Sequence, residues 1–277
     1  MYYLPHTAIG VLDTVYQMDA LDLMRALPER SVDMALLDTP YGTTECSWDT
    51  VIPLEPLFSE LRRVVKPRGA IVMTATEPYA SLLRMAALDL YKYDWVWVKT
   101  RVSNFLNAKL RPLNVYELCL VFSRGTVANA TDNQMNYFPV GLKPIKPDYH
   151  STKRARAIGR GGVIGSRPSH QSYTNEVGNY PRNVLHIPTE HNVGAYHPTQ
   201  KPVALFAYLI RTYTQPGDVI LDPVVGSGTT AIAARQTNRR FIVGDSDAGY
   251  VETTRRRLAQ PFTWDMFDHG VPESEAV

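Results

Sequence analysis

The chain has 277 residues, 44% of them hydrophobic and 20% charged, which is the balance of a globular protein with one large domain or two modest ones. No apolar run reaches the roughly 18–20 residues of a membrane helix, and none opens the chain as a signal peptide. Its two cysteines have neither disulfide nor metal-ligand spacing. We therefore predict a cytoplasmic protein with no membrane segment and no metal.

The net charge is +2, but its distribution is uneven. Residues 143–182 carry eight Lys or Arg and two acidic residues. A basic block on a near-neutral body is typical of a phosphate-binding surface, and it is equally typical of a solvated loop.

The first part of the chain alternates short apolar runs with helical patterns. The predicted strands are 15–18, 32–37, 70–73, 93–98 and 116–122, and the predicted helices are 21–27, 56–65 and 79–88. Pro67-Arg68-Gly69 is predicted to be the turn before the strand at 70.

The same alternation returns after residue 198. The predicted helices there are 203–213, 229–236 and 248–258, and the predicted strands are 219–221 and 241–243. Strands that alternate with helices predict a doubly wound α/β fold with a mainly parallel sheet. Regular periodicity fades between 124 and 190, and we expect 261–277 to be a loosely attached tail.

A glycine-rich turn joins the strand at 219–221 to the helix at 229–236, in 219-VILDPVVGSGTTAIAA-234. Gly226 and Gly228 allow close approach of a ligand to the backbone, and the helix presents free amides at its start. Asp245 ends the next strand, where an acid accepts hydrogen bonds from ribose hydroxyls. The other interpretation of Asp245 is a helix cap, a role that Asp247 fits as well.

The motif Asp38-Thr39-Pro40-Tyr41 follows the buried strand at 32–37. Open α/β sheets bind ligands beyond the carboxyl ends of their strands. A carboxylate and a backbone carbonyl of Thr39 or Pro40 can accept both hydrogens of an aromatic amino group, and Tyr41 can stack on a base. An isolated D-x-P-Y is most often an ordinary turn, so the other motifs decide.

Three signatures in order resemble those of the amino-methylating DNA methyltransferases. Asp38–Tyr41 resembles (D/N/S)-P-P-(Y/F), 197-HPTQKPVAL-205 resembles H-P-T-(Q/E)-K-P, and 222-DPVVGSGTT-230 resembles D-P-F-x-G-S-G-T-T. This order is that of the beta group. The flanks 39-TPYGTTECSWD-49 and 104-NFLNAKLRPLNVYE-117 look like those of bacterial and phage adenine methyltransferases. The resemblance covers about residues 14–123 and 183–259.

The resemblance implies a circularly rearranged S-adenosylmethionine-dependent methyltransferase fold. Its expected parts are a catalytic half at 1–123, a target-recognition insert at 124–190, a cofactor half at 191–260 and a tail at 261–277. It assigns catalysis to Asp38, Thr39, Pro40 and Tyr41. It assigns S-adenosylmethionine binding to Asp19, Asp38, Thr199, Gln200, Lys201, Asp222, Gly226, Ser227, Gly228, Thr229 and Asp245.

Within that set, Thr199, Gln200 and Lys201 would approach the methionine end of the cofactor. Asp19 would meet its adenine, although an acid after a strand is also a common helix cap. Val224 stands where the family has Phe, and Phe241 is the candidate to replace that wall of the adenine pocket.

The implied substrate is double-stranded DNA, with the 6-amino group of adenine favoured over the 4-amino group of cytosine. The expected DNA contacts are Lys109, Arg111, Lys153, Arg154, Arg156, Arg160 and Arg167. Lys99 could contact phosphates as well, or belong to an ordinary surface loop. A homodimer and a cognate restriction endonuclease are possible partners. The alternatives are a non-catalytic DNA-binding relative and an RNA or protein methyltransferase.

Overall fold

The computed structural model describes residues 11–42, 51–103, 107–128, 131–144, 177–189 and 200–261. The chain divides into two compact units, one of Met1–Phe138 with Arg182–Val277 and the other of Pro139–Pro181. In the described part of the smaller unit, strands β6 (Lys143–Pro144) and β7 (Val177–Gly178) pair in antiparallel fashion. The predicted boundaries after 123, 190 and 260 stay predictions.

The described residues of the larger unit form an eight-stranded sheet in the order β1-β10-β9-β2-β3-β5-β4-β8. Its strands are β1 (Thr14–Gln17), β2 (Val32–Leu37), β3 (Val65–Ala75), β4 (Tyr91–Ser103), β5 (Asn114–Phe122), β8 (Val184–His186), β9 (Val219–Asp222) and β10 (Arg240–Asp245). Its helices are α1 (Ala20–Ala26), α2 (Leu54–Val64), α3 (Tyr79–Ala86), α4 (Val203–Tyr213), α5 (Thr229–Gln236) and α6 (Ala248–Ala259).

Helices cover both faces of the sheet. All six residues of β2 are buried, and alternate side chains point to opposite faces. Ala35 and Leu37 join the apolar core that also contains side chains of α1, α2 and α3. Met34 and Leu36 are fully buried too, and α4 contacts β2. This confirms the predicted doubly wound α/β fold with its mainly parallel sheet.

The order of the strands explains where ligands can bind. The strands β9 and β10 come late in the chain, yet they lie between β1 and β2 in the sheet. The strands β1, β10, β9, β2 and β3 are parallel. Asp19, Asp38, Asp222 and Asp245 therefore all lie at or just beyond the carboxyl edge, as predicted for Asp38 and Asp245.

The predicted turn at Pro67-Arg68-Gly69 is wrong, because this tripeptide lies inside β3. The register against β2 shifts there, from Val32 opposite Val65 to Met34 opposite Ala70, so the tripeptide forms a bulge. A Cβ at position 69 would lie 2.4 Å from the carbonyl oxygen of Asp33. Glycine is thus required by close approach of two backbones, which from sequence alone looks like a turn signal.

The part of the sheet beyond β3, formed by β5, β4 and β8, was predicted less completely. The strand β5 runs antiparallel to β3 and β4, and the short β8, which no sequence pattern indicated, adds to β4 in parallel. Among the described residues, no helix is long and apolar enough to cross a membrane.

Candidate active site

The carboxylate of Asp38 is held from three directions at the end of β2. Its Oδ1 accepts hydrogen bonds from the Tyr41 hydroxyl at 2.9 Å and from the Thr74 hydroxyl. Its Oδ2 accepts one from Lys201 Nζ at 2.8 Å. The catalytic motif, the end of β3 and the segment before α4 therefore meet at one carboxylate.

Tyr41 forms an aromatic wall with Tyr79 of α3. The two rings stack with centroids 5.3 Å apart and planes inclined by 27°. The Tyr79 hydroxyl is hydrogen-bonded to Thr39 Oγ1 at 3.0 Å, so Thr39, where the family has proline or leucine, ties the motif to α3. Burial and the neighbouring Asp38 raise the pKa of Tyr41. Its hydroxyl consequently stays protonated and donates to Asp38.

A second carboxylate lies behind Lys201. Lys201 Nζ is 3.3 Å from Glu117 Oε2, and Lys99 Nζ is 3.1 Å from Glu117 Oε1. Burial alone lowers the pKa of Lys201, but Asp38, Tyr41 and Glu117 together raise it well above its usual value. The ammonium group is therefore a permanent positive charge beside Asp38.

Sequence reasoning missed several parts of this network. Thr74 lies 33 residues from Tyr41, Tyr79 lies 40 from Thr39, and Glu117 lies 84 from Lys201. These separations are beyond the reach of local patterns. Lys99 lies in β4 with its side chain only 9% exposed and paired with Glu117, so its placement in an ordinary surface loop is wrong. Its contact with phosphates stays a prediction.

The glycine-rich turn lies at the neighbouring strand end. Gly226 and Gly228 have φ of 50° and 92°, in the left-handed region that favours glycine. Asp245 accepts hydrogen bonds from the amides of Gly226 (3.0 Å) and Asp247 (2.9 Å). Asp247, not Asp245, caps α6 through the amides of Gly249 and Tyr250. Asp245 thus fastens the end of β10 to the turn.

Asp222 is the buried acid of this turn. It accepts hydrogen bonds from the Thr230 hydroxyl and the Val224 amide, and burial raises its pKa to about 7. The Ser227 hydroxyl donates a hydrogen bond to Gln200 Oε1, and the Thr229 hydroxyl donates one to the Lys201 carbonyl, both at 3.3 Å. The turn and the segment before α4 are therefore joined, as their common assignment to one ligand requires.

Two other predicted contacts at the cofactor pocket have different outcomes. Asp19 caps α1 through the amides of Leu21 (2.8 Å) and Asp22 (3.3 Å), and its contact with adenine stays a prediction. Phe241 cannot replace the missing aromatic wall, because it lies near the amino end of β10. Its backbone carbonyl accepts a hydrogen bond from the Asp13 amide there. About four residues of strand, roughly 13 Å, separate it from Asp245.

The residues at this edge fit S-adenosylmethionine. A Cβ at position 226 would meet no described atom within 4 Å, so the turn borders open space for a ligand. Around it, Asp245 and Gln200 supply acceptors for hydroxyl and amino groups, and a helix N-terminus supplies donors. When bound, this cofactor supplies a sulfonium-activated methyl group.

The predicted DNA contacts are only partly described. Lys109 and Arg111 are exposed in the connection between β4 and β5. Thr199 and the insert residues Lys153, Arg154, Arg156, Arg160 and Arg167 lie outside the described residues.

Comparison with known proteins gives the family. Residues 32–256 match the model of the N6/N4 DNA methylase family, and the chain belongs to this family. It is 29% identical over 262 residues to the DNA adenine methyltransferase YhdJ of Escherichia coli K12, covering 88% of the chain and 82% of that relative. It is 25% identical over 268 residues to the type II methyltransferase M.BglII of Bacillus subtilis, covering 90% and 69%.

Solved structures show the same fold. The complex of M1.HpyAVI with SAM aligns with a TM-score of 0.58 at 21% identity, over 89% of this chain and 99% of that one. The cytosine-N4-specific PvuII DNA methyltransferase aligns with a TM-score of 0.62 at 17% identity, over 89% and 86%. The chain is thus an S-adenosylmethionine-dependent DNA methyltransferase of the amino-methylating class, as the resemblance implied.

Proposed function

We propose that the chain methylates the 6-amino group of adenine in double-stranded DNA. The observation that carries this proposal is the Asp38 carboxylate at the end of β2. Oδ1 is occupied by two hydroxyl donors and Oδ2 by Lys201 alone among the described residues. Among the described residues, the Oδ2 atom of this carboxylate therefore keeps one acceptor position for a further donor.

The proposed role of Asp38 is to make the lone pair of an aromatic amine available for attack. This lone pair is delocalised into the ring, so the free amine is a poor nucleophile. Asp38 and a carbonyl of Thr39 or Pro40 accept the two amine hydrogens and favour the pyramidal nitrogen that attacks the methyl group in line. Tyr41 stacks on the extruded base. S-adenosylhomocysteine and the proton released from the nitrogen are the other products.

The cofactor roles follow the geometry of the carboxyl edge. Asp245 accepts hydrogen bonds from the ribose hydroxyls, Asp222 and the turn from Gly226 to Thr229 hold the cofactor, and Thr199, Gln200 and Lys201 approach its methionine end. Asp19 contacts the adenine. Lys109, Arg111 and the basic insert residues hold DNA phosphates.

Adenine is favoured over cytosine for two reasons. The acid at position 38 and its flanking residues resemble the adenine enzymes, and YhdJ, an adenine methyltransferase by name, matches most of the chain. Cytosine 4-amino methylation is the alternative, since PvuII methyltransferase shares the fold.

The test is nucleoside analysis of duplex DNA incubated with purified protein and labelled S-adenosylmethionine, with structured RNA as a parallel acceptor. We expect label in N6-methyladenine from DNA. Label in N4-methylcytosine would mean that the target base is cytosine and not adenine. Label in RNA alone would mean that the substrate is RNA and not DNA. Cofactor and DNA binding without transfer would indicate the non-catalytic alternative.

Two assemblies belong to the proposal: a homodimer, and a pairing in the cell with a restriction endonuclease that cuts the same site. Light scattering tests the first. The second predicts that methylated sites resist that endonuclease.

A further inference from the structure

A row of alternating charges begins at Asp38 and leads away from the glycine turn. Lys201 bridges Asp38 (2.8 Å) and Glu117 (3.3 Å), and Lys99 follows at 3.1 Å from Glu117. The side chains of Lys201, Lys99 and Glu117 are only 7%, 9% and 14% exposed. Charges this deeply buried persist only when they are paired, so each member depends on its neighbours.

The hydrogen bonds of Asp38 show what Lys201 does there. Each carboxylate oxygen offers about two acceptor positions. Tyr41 and Thr74 take those of Oδ1, whereas Oδ2 receives only Lys201 among the described residues. The N–H of Lys201 therefore fixes the direction in which the remaining acceptor position of Oδ2 points.

Glu117 acts on Asp38 through Lys201. Its Oε2 is buried and has no hydrogen-bond partner among the described residues, and its ion-pair neighbour is Lys201. The ammonium group is thus shared between two carboxylates, and the negative charge of Glu117 offsets part of the positive charge that Lys201 presents to Asp38.

The geometry points to Lys201 and Glu117 as positioning residues for methyl transfer. Lys201 orients Asp38 Oδ2 toward the target amine, and Glu117 offsets part of the positive charge that Lys201 presents to Asp38. This inference rests on the proposed function of Asp38. It gives Lys201 a role in addition to the proposed contact with the methionine end of the cofactor.

Other titratable groups also face Asp38. They are Tyr41 on its own loop, Cys119 on β5 and Asp222 on β9, with Asp245 of β10 next to Asp222. Burial raises the pKa of Tyr41 and of Cys119, so both stay neutral, and it raises the pKa of Asp222 to about 7. These groups are the same in every variant below, so differences between variants report Lys201 and Glu117.

The test measures kcat against pH for wild type, Lys201→Met, Lys201→Arg, Glu117→Gln and the double variant Lys201→Met/Glu117→Gln. Loss of a charged hydrogen bond predicts that Lys201→Met lowers kcat about 10- to 100-fold. Its acid limb should move up by about one pH unit or more, because Asp38 then faces Glu117 without a cation. Lys201→Arg should restore much of the rate.

Glu117→Gln should move the acid limb the opposite way, to lower pH, and the double variant should lie between the two single variants. Lys66→Met is the matched control, since it breaks a 2.7 Å Lys–Asp pair with Asp33 at the amino end of β2. We expect its pH profile to superimpose on that of wild type.

The inference is overturned if all variants keep the wild-type profile after scaling, or if Lys201→Met raises only the KM for S-adenosylmethionine. Should Lys201→Met fail to fold, Glu117→Gln and Lys201→Arg carry the test, and an unshifted Glu117→Gln profile overturns it. Failure of the proposed function looks different, because wild type itself would then transfer no methyl group to adenine in DNA.

Discussion

At the scale of single residues, the carboxylate of Asp38 carries the proposed chemistry. Asp38→Asn removes the charge and one acceptor but keeps the size of the side chain. Loss of a preorganised group of this kind costs about 100-fold or more in kcat, and we expect that loss in single-turnover methyl transfer. Transfer is measured at saturating S-adenosylmethionine, because the resemblance also assigns Asp38 to cofactor binding.

Asp33→Asn is the control for this prediction. Asp33 is equally part of β2 and is 7% exposed, but it lies at the amino end of the strand and bonds Lys66 and the Val219 amide. Its kcat should stay within about threefold of wild type. Equal losses in both variants would mean that Asp38 matters for the fold and not for the reaction.

Asp222 predicts a pH dependence of stability. Burial raises its pKa to about 7, above the roughly 3.9 of an unfolded aspartate. The folded protein keeps a proton there that the unfolded chain releases, so the stability from this group is present at low pH and is lost as pH rises from about 4 through 7.

The measurement is thermal unfolding without cofactor between about pH 5 and 8.5. Asp222→Asn carries no charge at any of these pH values, so its melting temperature should fall less than that of wild type as pH rises. Parallel curves would show that Asp222 does not hold its proton.

At this scale, motif residues could be predicted and their supporting residues could not. Asp38 and Asp245 follow strands whose patterns are local, and both lie at the carboxyl edge of the sheet. Glu117 and Tyr79 reach the site through long-range packing. An ion pair between Lys201 and Asp38 spans 163 positions, and no periodicity in the sequence encodes it.

At the scale of elements, the glycine turn before α5 is held by close packing against α6. A Cβ at position 228 would lie 2.8 Å from the Thr254 side chain, whereas one at position 217 would meet no described atom within 4 Å. Both glycines have nearly the same φ, 92° and 90°, so comparing them separates packing from backbone strain.

We expect Gly217→Ala to lower the free energy of unfolding by about 1–2 kcal/mol, the strain of a left-handed alanine. Gly228→Ala should lower it by about 1–3 kcal/mol more, because the methyl group is forced against Thr254. Urea denaturation measures both. Equal effects would show that α6 moves aside at no cost.

The connection between β4 and β5 presents Lys109 and Arg111 to solvent. Each phosphate contact that is lost makes the dependence of log affinity on log salt less steep by about 0.9. The double variant Lys109→Ala/Arg111→Ala should therefore bind DNA more weakly, with a slope less negative by about 2. Arg25→Ala, which removes an exposed arginine of α1, is the control and should leave the slope unchanged. An unchanged slope in the double variant would show that Lys109 and Arg111 do not contact DNA.

Elements with strong local patterns were predicted well. The helices α4 and α5 have the predicted bounds, because their apolar positions and breakers are local signals. The strand β3 was predicted too short, because Pro67-Arg68-Gly69 resembles a turn signal. The glycine is there because the backbone of Asp33 approaches it closely. The three residues of β8 form a strand only because β4 offers an edge.

At the scale of the whole molecule, the sheet order brings the two halves of the site together. Two strands from the end of the chain, β10 and β9, pair between β1 and β2, so the glycine turn and Asp38 lie at adjacent strand ends although 184 positions separate Asp38 from Asp222. The alternation of strands and helices predicted this class of fold. Only the order of the three motifs indicated that the cofactor half comes last.

The most direct test of the proposed function is sequencing that detects modified bases in DNA from a host without its own amino methylation. Cells that express the wild-type chain should contain N6-methyladenine at a defined sequence, and cells that express Asp38→Asn should not. N4-methylcytosine at that sequence, or adenine methylation that persists in the Asp38→Asn cells, would contradict it.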